Sequence, residues 1–73
     1  MFMNIIIEDT DSSNFLTSDG NWSKNMADGK VFSGTKTAYE TAKSQPIGKF
    51  SISGYIAENN QIINLRSGHG KGN

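Results

Sequence analysis

The sequence predicts an α+β domain: a twisted, mainly antiparallel sheet of four or five strands with one α-helix packed on one face, in the order β-β(-β)-α-β-β. Three observations carry that expectation. Phe50-Ser51-Ile52-Ser53-Gly54-Tyr55-Ile56 and Gln61-Ile62-Ile63-Asn64-Leu65 read as a pair of strands joined by a turn at Asn59-Asn60. Asn4-Ile5-Ile6-Ile7-Glu8 is β-branched and too short for a helix. Only the stretch around Ala38, Tyr39 and Ala42 repeats its apolar residues at helical spacing. With 73 residues the chain makes one small domain, 1–66, followed by a Gly-rich tail, 67–73, expected to be flexible.

Taken in order, the unbroken Ile5-Ile6-Ile7 implies a first strand buried on both faces. Asp9-Thr10-Asp11-Ser12-Ser13 is a polar connector of turn-forming residues. A second strand runs from Asn14 to Ser18 around Phe15 and Leu16. Asp19-Gly20 then signals a two-residue type I′ hairpin, which needs positive φ at both positions, and returns the chain through Trp22. Asp28-Gly29 marks another turn before Val31-Phe32. Ser33 is the expected helix N-cap, and Pro46 disfavours a helical Gln45 and so ends the helix near Lys43-Ser44. Ala38 and Ala42 let this helix lie close to a sheet, while Gly34 and the threonines leave it dependent on packing.

For the last hairpin, a two-residue Asn59-Asn60 turn sets Glu58 opposite Gln61, Ile56 opposite Ile63 and Gly54 opposite Leu65. Phe50, Ile52, Ile56, Ile63 and Leu65 then share one face. Ser51, Ser53, Tyr55, Ala57, Ile62, Asn64 and Arg66 share the other. The tail, Ser67-Gly68-His69-Gly70-Lys71-Gly72-Asn73, has no apolar residue to pack and is expected to fray.

Composition excludes several functions. Seven acids balance seven bases, so the net charge of zero lacks the field that non-specific nucleic-acid binding uses. No cysteine is present for disulfides or thiolate metal sites, and the single histidine leaves little for zinc; neither metal nor cofactor is expected. The start carries no basic residue and its apolar run is too short for a signal peptide or a span, which points to the cytoplasm and to no membrane contact. The Asn21-Trp22-Ser23 sequon matters only in a secreted eukaryotic chain. A core this small is commonly supplemented by self-association, so a homodimer is expected.

The motifs that hint at chemistry fail on inspection. Asp9-Thr10-Asp11-Ser12-Ser13 opens like a calcium loop, but Asn14 and Gly20 stand where an EF-hand needs glycine and a bidentate glutamate. Gly34-Thr35-Lys36-Thr37 breaks the contiguous Gly-Lys-Ser/Thr of a phosphate loop. Gly68, Gly70 and Gly72 precede no helix, and His69, the only histidine, has no nucleophile set beside it by the sequence. Glu8, Glu40 and Glu58 are scattered. The chain is therefore not expected to be an enzyme. Charge is uneven: Glu8, Asp9, Asp11, Asp19 and Asp28 outnumber Lys24 and Lys30 in the first part, and bases outnumber acids after it.

If the first strand lies in the middle of the sheet, Ile6 joins Tyr55 and Ile62 on the side away from the helix, rimmed by Asn64 and Arg66. That mixture has the composition of an interface centre. Trp22 is a second anchor, weighed against a plainer role as a half-buried lid beside the helix. Ile6, Tyr55, Ile62, Asn64, Arg66 and Trp22 are thus the candidate binding residues. Phe15, Gly20, Trp22, Ala27, Phe32, Ala38 and Ala42 form a pattern of strand, glycine turn, tryptophan and alanine-spaced helix. In it the chain resembles small uncharacterised bacterial and phage proteins. The resemblance implies a compact α+β domain of prokaryotic or phage origin with no assigned activity. The function expected is a non-enzymatic protein-binding module, self-associating through the open sheet face. The alternative is an accessory nucleic-acid-binding domain using Tyr55, Arg66 and the basic tail.

Overall fold

The computed structural model describes residues 3–72; Met1 and Phe2, where a leader would begin, and Asn73, the end of the tail, lie outside the described residues. Five strands, β1 (Asn4–Asp9), β2 (Asn14–Leu16), β3 (Trp22–Ser23), β4 (Lys49–Ile56) and β5 (Gln61–His69), form one antiparallel sheet in the order β3-β2-β1-β4-β5. Helix α1 (Thr35–Lys43) crosses one face. The predicted class and element order are those observed.

β1 is central because it pairs with β2 on one side and β4 on the other. Strand alternation sends Ile7 to the helix side and Ile6 to the opposite side, and both are fully buried. On the helix side Ile7, Leu16, Phe50 and Ile52 pack against Ala38 and Ala42, which have no exposed surface. Alanine's small side chain is what brings α1 down onto the strands. The helix begins one residue later than the sequence suggests. Gly34 occupies the N-cap and offers no side-chain bond, so Ser33 does not cap it; at the other end the Ser44 hydroxyl donates to the Thr41 carbonyl at 2.7 Å.

Both hairpins depart from the predicted two-residue turns, for one reason: only one residue of each pair takes positive φ. In the first, Gly20 has φ 85° and Asp19 does not. Gly20 donates to the Thr17 carbonyl and Thr17 to Asn21, giving a three-residue loop with glycine in the left-handed position. β2 accordingly stops at Leu16 rather than Ser18. In the second, Asn60 alone is left-handed (φ 56°), after a 3-10 turn over Ala57–Asn59. The loop takes four residues, and Ile56 pairs with Gln61, Tyr55 with Ile62 and Gly54 with Ile63. A shift of two leaves each side chain on its expected face. A further one-residue slip between Ser53 and Ile52 leaves Leu65 unpartnered and sets Arg66 opposite Ile52. That bulge moves Arg66 to the helix side, correcting the face predicted for it.

The tail is the largest correction. β5 continues through His69, and the Gly70, Lys71 and Gly72 amides donate to the carbonyls of Gly48, Gln45 and Ile47 at 2.8–3.0 Å. Glycine is what permits this. A Cβ on Gly70 would lie 2.6 Å from the Ile47 carbonyl oxygen and 2.7 Å from that of Gln45. The tail packs by backbone rather than by apolar side chains, a route that hydropathy does not reveal.

Candidate functional site

The sheet face away from α1 was expected to be open, but part of it is covered. Ile6, Phe15 and Tyr55 form a second buried cluster with Met26 packed on it. Met26 belongs to the 3-10 turn Met26–Asp28, which Asn25 starts by accepting from the Ala27 amide. Ser23 Oγ donates to Asp28 Oδ2 at 2.8 Å, and Lys30 and Phe32 donate to the Leu16 and Ile5 carbonyls at 2.7 and 2.8 Å. These bonds hold residues 25–32 against the strands so firmly that a Cβ on Gly29 would sit 3.1 Å from Ile6 Cγ2. Ile6 and Tyr55 are therefore core residues, not contact residues; the Tyr55 hydroxyl donates to Asn60 Oδ1 at 3.3 Å.

Ile62 and Asn64 do stand together on the uncovered part of that face. Ile62 is 38% exposed, and the Asn64 amide donates to Ser67 Oγ at 3.2 Å. Arg66 instead lies over Tyr39 of α1, its guanidinium carbon 3.7 Å from the ring centroid. Tyr39 in turn meets Phe50 edge-on at 5.4 Å. Arg66 and Tyr55 stand on opposite faces, so they form no clamp. Trp22, opposite Leu16, packs half-buried against the helix-side core and edges a shallow hollow of about 530 Å³ shared with Thr17, Asp19 and Asp28.

What sequence reading passed over is the edge of the sheet. Among the described residues β5 has a neighbour on one side only, and along it Ile62, Ile63 and Leu65 are each 38–43% exposed. The signal was present in the adjacent Ile62-Ile63, since a strand covered on one face has no use for two consecutive large apolar residues. A second overlooked feature is a pocket of about 410 Å³ walled by Thr10, Lys49, Ser67 and His69, with the Phe50–Gly68 pair between them.

Two carboxyls are perturbed. Burial, and then the neighbouring Asp9 charge, push the Glu8 carboxyl above its ordinary range. The Thr17 hydroxyl, followed by the Asn21 amide, holds Asp19 below its own. Ser51 and Ser53, both buried, satisfy each other at 2.9 Å. Among the described residues no three of His, Cys, Asp and Glu are grouped to hold a metal ion, and no helix is long and apolar enough to cross a membrane.

No family model, curated protein or solved structure matches the chain.

Proposed function

We propose that the chain is a protein-binding module that self-associates by pairing β5 with β5 of a second copy. The observation that carries this reading is the edge itself: nine residues long, without proline, and bearing Ile62, Ile63 and Leu65 in partial exposure. Edge strands ordinarily carry lysine or proline, or are kept short, because unpaired backbone groups recruit another strand. β3, at the other edge, has two residues; β5 has one bulge and one arginine, and that arginine is stacked on Tyr39. Antiparallel pairing of a strand with its own copy about a two-fold axis is self-complementary. The zero net charge sets no long-range repulsion between copies. The interface thus moves from the open face, where Ile6 and Tyr55 are covered, to the rim, with Ile62 and Asn64 beside it. A role as a prokaryotic or phage accessory rests on the resemblance over residues 15–42. The nucleic-acid reading gains no support from a face that separates Tyr55 from Arg66.

Light scattering coupled to size exclusion, from micromolar to millimolar protein, tests the proposal. A concentration-dependent dimer is expected, and Ile63→Lys is expected to return it to monomer with an unchanged circular dichroism spectrum. A strict monomer at millimolar concentration, or a dimer indifferent to Ile63→Lys, would overturn it.

A further inference from the structure

The pocket at the far end of β5 is chemically unlike the rest of the surface. Thr10 follows the last residue of β1, Lys49 opens β4, and Ser67 and His69 close β5. Register puts these side chains on one side of the sheet. Lys49 pairs with His69, Ser67 pairs with Ser51, and Thr10 follows Asp9, which pairs with Phe50 on the helix side. Directly opposed residues hold their Cβ atoms about 4.5–5.5 Å apart, so the Lys49 and His69 heads can meet on one small group.

Among the described residues no carboxylate lines the pocket. The lining supplies donors. Lys49 brings an ammonium with its three N–H groups, and the histidine ring brings at least one N–H. Ser67 accepts from the Asn64 amide at 3.2 Å, which leaves its own hydroxyl hydrogen to donate. The wall is fixed in place, because both the amide and the hydroxyl of Thr10 donate to the Lys49 carbonyl at 3.2 Å. Glu8 lies on the same side two residues before Thr10, where burial and then the Asp9 charge disfavour its ionised form. Asp11, set against Gly48, is the acid that an incoming anion would feel. A volume of about 410 Å³ takes a small charged group with its first waters.

We infer that this pocket binds a small oxyanion, a phosphate or a carboxylate, between Lys49 and His69 with the Ser67 hydroxyl as a third donor. Charge-assisted bonds from two strands give the selectivity for oxyanions over halide that a single exposed lysine lacks.

Amide NMR titration of the full chain with sodium phosphate, sodium acetate and sodium chloride at matched ionic strength tests this. Phosphate or acetate is expected to give saturable shifts confined to Thr10, Lys49, Ser67 and His69, and whichever saturates at the lower concentration identifies the anion class. Lys49→Gln and His69→Gln, both at exposed positions, are each expected to weaken binding several-fold in a fully dispersed spectrum, and Asp11→Asn to strengthen it. Shifts reproduced by chloride, or an isotherm unchanged in both Lys49→Gln and His69→Gln, would overturn the inference.

Discussion

Glu8 and Asp19 show how two carboxyls of one chain are driven in opposite senses by their immediate surroundings. Glu8 sits between Phe15 and Ser51, partly withdrawn from water and next to Asp9, so its charged form is disfavoured. Its folded-state pKa lies above the unfolded value, and the protonated form therefore favours folding. That contribution is complete in acid and is lost as pH rises through the raised value. Asp19 lies at the tip of the first hairpin, where its carboxylate accepts from Thr17 and Asn21. Its depressed pKa contributes stability above the ordinary carboxylate range and loses it as pH falls. Glu8→Gln is expected to raise the urea midpoint at neutral pH and to match the parent near pH 3 (about a unit below the ordinary glutamate value). Asp19→Asn is expected to lower the midpoint at neutral pH and to converge on the parent in acid. Unfolding curves at both pH values check both signs. Equal effects at the two pH values would mean that packing rather than charge is at work.

At the scale of elements, the tail behaves as the last part of the sheet rather than as an appendage. Its hold on the Gln45–Gly48 loop depends on backbone contact that any Cβ would obstruct. Gly70→Ala is expected to cost about 1–3 kcal/mol, since the atoms in the way are carbonyl oxygens and not mobile side-chain ends. Hydrogen exchange should then show the Lys71 and Gly72 amides unprotected while β1 and β4 keep their protection. A Gly70→Ala protein as stable as the parent would mean the tail is docked only loosely. The helix and the strand pair 50–56 with 61–65 were legible because their periodicity is local. The tail was not legible, because glycine repeats look alike whether they are loose or tightly packed. Arg66 was misplaced for a related reason. One unpaired residue, Leu65, reverses the face of everything after it, and no composition rule foretells a bulge.

For the whole molecule, the sheet is completed by pairing its beginning with its end: Asn4 lies opposite Tyr55 and Asp9 opposite Phe50. β1 therefore gains a second neighbour only after α1 has crossed and β4 has formed, and such non-local closure places folding in the slower part of the range for small domains. If two copies join along β5, association is linked to folding, and the melting temperature is expected to climb with protein concentration. Ile63→Lys should abolish that climb, and calorimetry over a wide concentration range reads it directly. A melting temperature independent of concentration in the parent would count against the dimer. The amino-acid order alone determined the class of fold, the two-sided burial of the triple isoleucine and the alanine-faced helix, because burial period and turn chemistry are properties of neighbouring residues. Which surfaces remained in contact with solvent was decided only in three dimensions. The 25–32 segment folds over Ile6 and Tyr55, a bulge carries Arg66 across the sheet, and strand order leaves the outer edge of β5 unpaired among the described residues. Each of these depends on contacts between residues far apart in the chain, whose geometry no short window of sequence contains.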